Sequence, residues 1–149
     1  MSEAGSTVIA VNISTGGIPK LPVPVGHVTS DGLEGDAHDH DKHNTPLQAI
    51  SLINGEVLDD LRAEGFDVGP GATGENLTVR GFDVDALDPG DRLRLSGGVR
   101  LEFTRKRKPC FVLDAIHEDL QDAIRGRCGA YAKVICGGEV RPGETIELA

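Results

Sequence analysis

Apolar and polar positions alternate in short runs along most of this chain, and glycine and proline separate the runs. Residues 8–13 (V-I-A-V-N-I) read as a first strand and residues 25–28 as a shorter one. Between them, residues 16–22 (G-G-I-P-K-L-P) form an extended loop. Residues 47–53 (L-Q-A-I-S-L-I) are a stronger strand candidate. The period then turns helical. Val57, Leu58 and Leu61 make one stripe over residues 54–64, with Asn54 placed to cap the helix and Gly65 to stop it. A glycine-rich turn, residues 69–76 (G-P-G-A-T-G-E-N), leads into a strand at 77–79, and another strand covers 99–104. A second helix is expected over 114–125, capped by Asp114, striped by Ile116, Leu120, Ala123 and Ile124, and stopped by Gly126. Residues 131–136 read as a strand and Gly137-Gly138 as a turn.

Two corners resemble each other. Residues 89–95 (P-G-D-R-L-R-L) and 142–148 (P-G-E-T-I-E-L) each pair a Pro-Gly turn of type II with an alternating strand. Repeated corners, short strands and two short helices predict a mainly β fold: one predominantly antiparallel β-barrel domain over residues 1–149.

Composition supports a turn-rich β domain, with 20 Gly and 8 Pro in 149 residues, no Trp and one Tyr. The net charge of −9 argues against a nucleic-acid partner. The first residues (M-S-E-A-G-S) carry no leader pattern, and no apolar run is long enough for a membrane span. Three cysteines, Cys110, Cys128 and Cys136, with no C-x-x-C pair, suit neither a disulfide framework nor a zinc ribbon, so the cytoplasm is the expected compartment. Cys136, closing an apolar strand, reads as a buried structural thiol, and Cys128 follows a helix stop.

The chemistry concentrates in two places. Residues 101–113 (L-E-F-T-R-K-R-K-P-C-F-V-L) begin as a strand, set four cations in a row, Arg105, Lys106, Arg107 and Lys108, and reach Cys110 through Pro109. If alternation continues to the proline, Lys106 and Lys108 share a face with Cys110 and favour its thiolate, while burial under Phe111 and Val112 works against it. In an acidic protein the run is a local anion site, suited to a phosphate-bearing small molecule; the plainer reading is a solvated basic edge strand. The second place is the loop at residues 31–43 (D-G-L-E-G-D-A-H-D-H-D-K-H), where His38, His40 and His43 stand among carboxylates. These are metal-ligand types with carboxylate partners, or else a solvated acidic loop. Glu75 and Asn76 read locally as turn chemistry.

Taken in order, Gly35-Asp36-Ala37-His38, Pro70-Gly71, Gly74-Glu75-Asn76-Leu77-Thr78, Pro89-Gly90-Asp91, Pro109-Cys110, Tyr131-Ala132-Lys133-Val134, Gly137-Gly138 and Pro142-Gly143-Glu144 resemble the motif series of the MOSC domain. This is the small β-barrel module (pyruvate kinase barrel-like) related to the C-terminal domain of molybdenum cofactor sulfurases. The resemblance spans about residues 8–148. It implies that Cys110 is the functional cysteine, carrying sulfur as a persulfide or ligating molybdenum. It implies that His38, Glu75 and Asn76 lie near the same pocket, and that Arg105, Lys106, Arg107 and Lys108 meet the molybdopterin phosphate. Relatives that reduce N-hydroxylated compounds carry an extra N-terminal β-domain or electron-entry module that these residues lack, so a reductase role requires an electron-donor protein. A sulfur role requires a donor such as a cysteine desulfurase. Two alternatives stand beside the cofactor reading. One is a carbon–sulfur lyase or sulfurtransferase in which zinc or another divalent metal is held by Cys110 with His38, His40 or His43. The other is a non-enzymatic docking module for cofactor synthesis.

Overall fold

Eight short strands form one sheet, and their order explains which residues meet. The computed structural model describes residues 6–14, 18–36, 48–109 and 111–149. The strands are β1 (Thr7–Ile13), β2 (Leu21–Pro22), β3 (Gly26–Thr29), β4 (Gly32–Leu33), β5 (Ile50–Asn54), β6 (Leu77–Arg80), β7 (Arg92–Leu95), β8 (Arg100–Lys106), β9 (Ala130–Cys136), β10 (Gly138–Val140) and β11 (Ile146–Leu148). The large sheet runs β11-β7-β8-β9-β5-β6-β1-β2, and a small one runs β10-β3-β4. Among the described residues every pairing is antiparallel except β5 with β6, which are joined by the crossover helix α1 (Gly55–Ala63). A bridge between Thr7 and Thr145 brings β1 round to the segment before β11. Val8 N–H donates to Glu144 O at 2.9 Å and Gly143 N–H to Val8 O at 2.7 Å, which makes the sheet barrel-like. The mainly β expectation holds.

The barrel interior is filled from alternate positions: Val8, Val11, Ile50, Leu52, Leu77, Val79, Leu93, Leu95, Leu101 and Phe103 are all buried. β5 is buried on both faces, which is why its sequence reads as an almost unbroken apolar run. Ile50 and Leu52 join the barrel core, while Ile53 joins a second cluster with Leu58, Leu61, Leu113, Leu120, Ile124 and Cys128.

Helix α1 stops as expected. Gly65 adopts φ +105°, its N–H donates to Arg62 O, and Phe66 N–H reaches back to Leu61 O, the paired bonds of a Schellman end. Its start differs from expectation. Asn54 occupies the cap position without capping, because its side chain is drawn away: Oδ1 accepts from Val84 N–H at 2.8 Å and Nδ2 donates to Phe82 O. The second helix is also shorter than the spacing predicts. Residues Phe111–Ala115 form a 3-10 turn, and α2 covers only Leu120–Ala123. Asp114 lies inside the turn and does not cap; the interruption is at His117, whose Nδ1 accepts from Asp119 N–H at 2.9 Å. The two Pro-Gly corners agree with type II geometry. Gly90 and Gly143 have φ of +94° and +96°, and Asp91 N–H donates to Asp88 O at 2.9 Å.

Candidate functional site

Three neighbouring strands each carry a polar residue where the apolar pattern calls for a hydrophobe: Ser51 on β5, Thr78 on β6 and Asn12 on β1, all buried. Thr78 and Asn12 gather round Glu75, which has no exposed surface, and Ser51 holds its neighbour Asn76. A buried carboxylate is tolerable only with donors aimed at it. Here Gly71 N–H, Thr73 Oγ1–H and Thr78 Oγ1–H each donate at 2.7 Å. Asn12 Nδ2 donates to Thr78 Oγ1 at 3.1 Å and to Glu75 O at 3.3 Å, extending the network to β1. Gly71 is required at the turn: its φ is +85°, and a Cβ there would lie 2.0 Å from Lys20 O.

Asn76 is turned the other way. Its Oδ1 accepts from Ser51 N–H at 3.0 Å and Ser51 Oγ–H at 3.2 Å, and its Nδ2 donates to Asp36 Oδ2 at 2.9 Å. Asp36 also accepts from Ser14 N–H at 2.9 Å and pairs with Lys20 Nζ at 2.5 Å. The Asp36 side chain is only 2% exposed. The segment that leads two residues later to His38 is thus tied to Asn76.

The basic run does not continue as a strand. Pairing with β9 shifts register between Phe103 and Arg105, the strand ends at Lys106, and Arg105 and Lys106 are both exposed. Strand alternation therefore does not carry Lys106 and Lys108 onto a common face with Cys110. Lys108 is exposed, while Arg107 between them turns inward. Arg107 Nη2 donates to Thr73 O at 2.9 Å, Nη1 donates to Cys128 O at 3.3 Å, and the guanidinium stands 5.9 Å from the Tyr131 ring centroid. Burial disfavours this charge, but Cys128, Tyr131 and Glu75 favour it and hold its pKa above the usual arginine range. Its backbone N–H donates to Gly129 O at 2.9 Å, and Gly129 N–H donates to Asp85 Oδ1 at 3.1 Å. Burial pushes the Asp85 carboxyl up, and the Asp83 charge adds to it, against the Gly129 bond and Lys106.

His38, His40, His43 and Cys110 lie outside the described residues, as do the side chains of Phe111 and Val112. Among the described residues no three His, Cys, Asp or Glu side chains are placed to hold a metal. No helix among them is long and apolar enough to cross a membrane. The structure corrects the expectation for Cys136. Cys136 is exposed, because the end of β9 projects past the core (Ile135 beside it is 41% exposed), and Cys128 is the buried one.

The described residues fit an anionic group. Lys106 and Lys108 are exposed where β8 ends, and neither is within ion-pair distance of an acid among the described residues. Asn12 Oδ1 is buried without a hydrogen-bond partner among the described residues. The inward role of Arg107 and the Asp36–Asn76 bond were not evident from spacing. The available signal was the intrusion of Asn12, Ser51 and Thr78 into apolar strands.

The MOSC domain family model matches residues 39–147, which takes in Glu75, Asn76 and the basic run with Cys110 but not Gly35 to His38. A reductase from Gibberella moniliformis is 32% identical over 130 residues, 80% of this chain. The match spans only 23% of that reductase. Among solved structures, the YuaD protein from Bacillus subtilis superposes with a TM-score of 0.81 at 18% identity, covering 96% of this chain and 94% of its own. YiiM from Geobacillus stearothermophilus gives 0.76 at 26% identity, covering 97% and 75%. With its barrel-like sheet, its buried Gly-Glu-Asn turn and a family match over most of its length, the chain belongs to the MOSC domain family.

Proposed function

We propose that this MOSC domain handles sulfur or binds the molybdenum cofactor through Cys110, with Lys106 and Lys108 meeting the phosphate of an anionic ligand. One observation carries the reading. A single hydrogen-bonded network ties down the chain just before both chemistry-bearing segments, at Asp36 ahead of His38 and at Arg107 ahead of Cys110. A site of that kind is held by rigid supports on the scaffold.

The thiolate is the form of Cys110 that reacts, and Lys106, Arg107 and Lys108 are cations close to it in sequence that favour thiolate over thiol. As a sulfur acceptor, the thiolate attacks the terminal sulfur of a donor persulfide. A Cys110 persulfide forms, the donor S–S bond breaks, and the donor leaves as its own thiolate. As a cofactor site, Cys110 would hold the metal and Lys106, Lys108 and Arg105 would neutralise the phosphate; the cofactor would supply the redox chemistry. Glu75 and Asn76 brace the site, and His38 would be its proton-handling group. Partners follow from the chemistry: a cysteine desulfurase-type sulfur donor or an electron-donor protein, in the reducing cytoplasm. The reductase relative fits a module acting with further redox parts.

The test is elemental analysis of the purified chain together with intact mass under non-reducing conditions, for the unmodified protein and Cys110→Ser. Molybdenum, or one added sulfur, present in the first and absent from the second supports the proposal. Zinc lost with Cys110→Ser selects the metal-assisted carbon–sulfur lyase instead. Equal loading of both proteins overturns the role of Cys110.

A further inference from the structure

At the end of β8 away from Cys110, four residues stand in register across four neighbouring strands. Glu147 on β11 faces Arg94 on β7, Arg94 faces Arg100 on β8, and Arg100 faces Cys136 on β9. One row along, Arg92, Glu102 and Lys133 are also in register, and there the signs alternate: Glu102 pairs with Arg92 at 3.0 Å and with Lys133 at 3.4 Å. The first row breaks that pattern by setting two guanidinium groups opposite each other, an arrangement that costs stability. Glu147 answers Arg94, accepting from its Nε at 3.1 Å and from its Nη2. Arg100 is exposed and makes no ion pair or side-chain hydrogen bond among the described residues.

A cavity of about 280 Å³ opens beside this row, lined by Arg94, Arg100, Ser96, Thr145 and Glu147. Ser96 Oγ accepts from Thr145 N–H at 3.1 Å, which fixes the oxygen and leaves its hydrogen as a donor. Arg100 and Lys106 mark the two ends of β8, so at ~3.3 Å per residue Arg100 beside the cavity lies roughly 20 Å from Lys106.

We propose that this cavity is a second binding site, for a small molecule bearing a phosphate or carboxylate. Arg100 is the cation that meets it, in the forked geometry guanidinium offers to either oxyanion. The Ser96 and Thr145 hydroxyls are the neutral donors, and Glu147 is the competing anion that the ligand displaces from Arg94 or shares it with. The cavity volume suits a small metabolite rather than a macromolecule. The repulsion between Arg94 and Arg100 is relieved when the ligand binds.

The test is a titration of the isotopically labelled full chain with inorganic phosphate and, separately, with succinate, followed by backbone amide shifts. Saturable movement of Ser96, Gly98 and Arg100 is expected at millimolar ligand. Arg100→Gln should weaken binding by about fivefold or more, the scale of one charge-assisted hydrogen bond at an exposed position. Glu147→Gln should tighten it, a change of sign that general destabilisation does not produce. Movement with phosphate alone assigns a phosphate ligand, and with succinate alone a carboxylate. No saturable movement with either, or unchanged affinity in Arg100→Gln, overturns the proposal.

Discussion

Arg107 donates to the Thr73 carbonyl at 2.9 Å, and Thr73 donates to the Glu75 carboxylate at 2.7 Å. One threonine thus links the guanidinium that precedes Cys110 to the buried acid of the Gly-Glu-Asn turn. The cations of the basic run therefore do different work, and substitutions should separate them.

Replacing Arg107 with Gln should lower stability by about 1–3 kcal/mol, because the Thr73 and Cys128 carbonyls lose their donors in a half-buried site. Replacing Lys106 or Lys108 with Gln should change stability by less than about 0.5 kcal/mol, as for other exposed positions, while weakening any anionic ligand. Chemical denaturation and ligand titration of the three variants check this. Equal stability losses would remove the distinction.

Glu75→Gln should destabilise the fold despite its matching shape. The carboxylate accepts from three donors, and an amide brings its own N–H₂ into that cage, so one contact becomes donor against donor. A loss of about 1–3 kcal/mol is expected for a buried group left unmatched. The midpoint of urea unfolding measures it, and an unchanged midpoint would mean that the cage relaxes freely.

The pH dependence should carry a signature of Asp85. Burial raises the pKa of its carboxyl in the folded protein, so the folded state holds this proton at pH values where the unfolded chain has released it. Stability from this group is present below the unfolded pKa and falls as pH rises through the raised folded pKa. Asp85→Asn keeps an oxygen to accept from Gly129 N–H and removes that fall. The variant should gain on the unmodified protein as pH goes from 4 towards neutrality, read from thermal midpoints across the series. A constant difference would show that Asp85 does not titrate in this window.

Thiol labelling should divide the cysteines by burial and by role. Cys128 is buried and Cys136 exposed, so Cys128→Ser should leave the native-state labelling rate unchanged while Cys136→Ser removes one accessible thiol. Cys110→Ser should remove the thiol that still reacts when the medium is mildly acidic, the mark of a thiolate favoured by nearby cations. Iodoacetamide kinetics against pH, with the modified site read by mass, tests all three.

Much of the fold was legible from the alternation of apolar residues. The strands at 8–13, 77–79 and 131–136 and both Pro-Gly corners lie where the pattern puts them, because a half-buried strand writes its two faces directly into sequence. Capping was less legible. Asn54 and Asp114 have the right chemistry at the right spacing, but Asn54 found better partners at Phe82 and Val84, contacts about thirty positions away that no local rule contains. Cys136 was misjudged because an apolar neighbourhood in sequence does not reveal where a strand outruns the core. The site was half visible. Its motifs could be read in order, yet the inward turn of Arg107 depends on a register shift in β8 that only the partner strand dictates.

The Thr7–Thr145 bridge has a bearing on the site that lies along the same strand. β1 is held at one end by this seam, and near its other end it carries Asn12, which hydrogen-bonds to Thr78 and to the Glu75 carbonyl. The contacts that make the seam are among the most distant in sequence, so forming them closes a long loop at an entropic cost. A fluctuation that unzips the seam frees β1 at one end and loosens the strand that braces the Glu75 cage. Hydrogen exchange at Val8 and at Asn12 should then rise together, making the barrel's closure a tension line that the candidate site is strung upon.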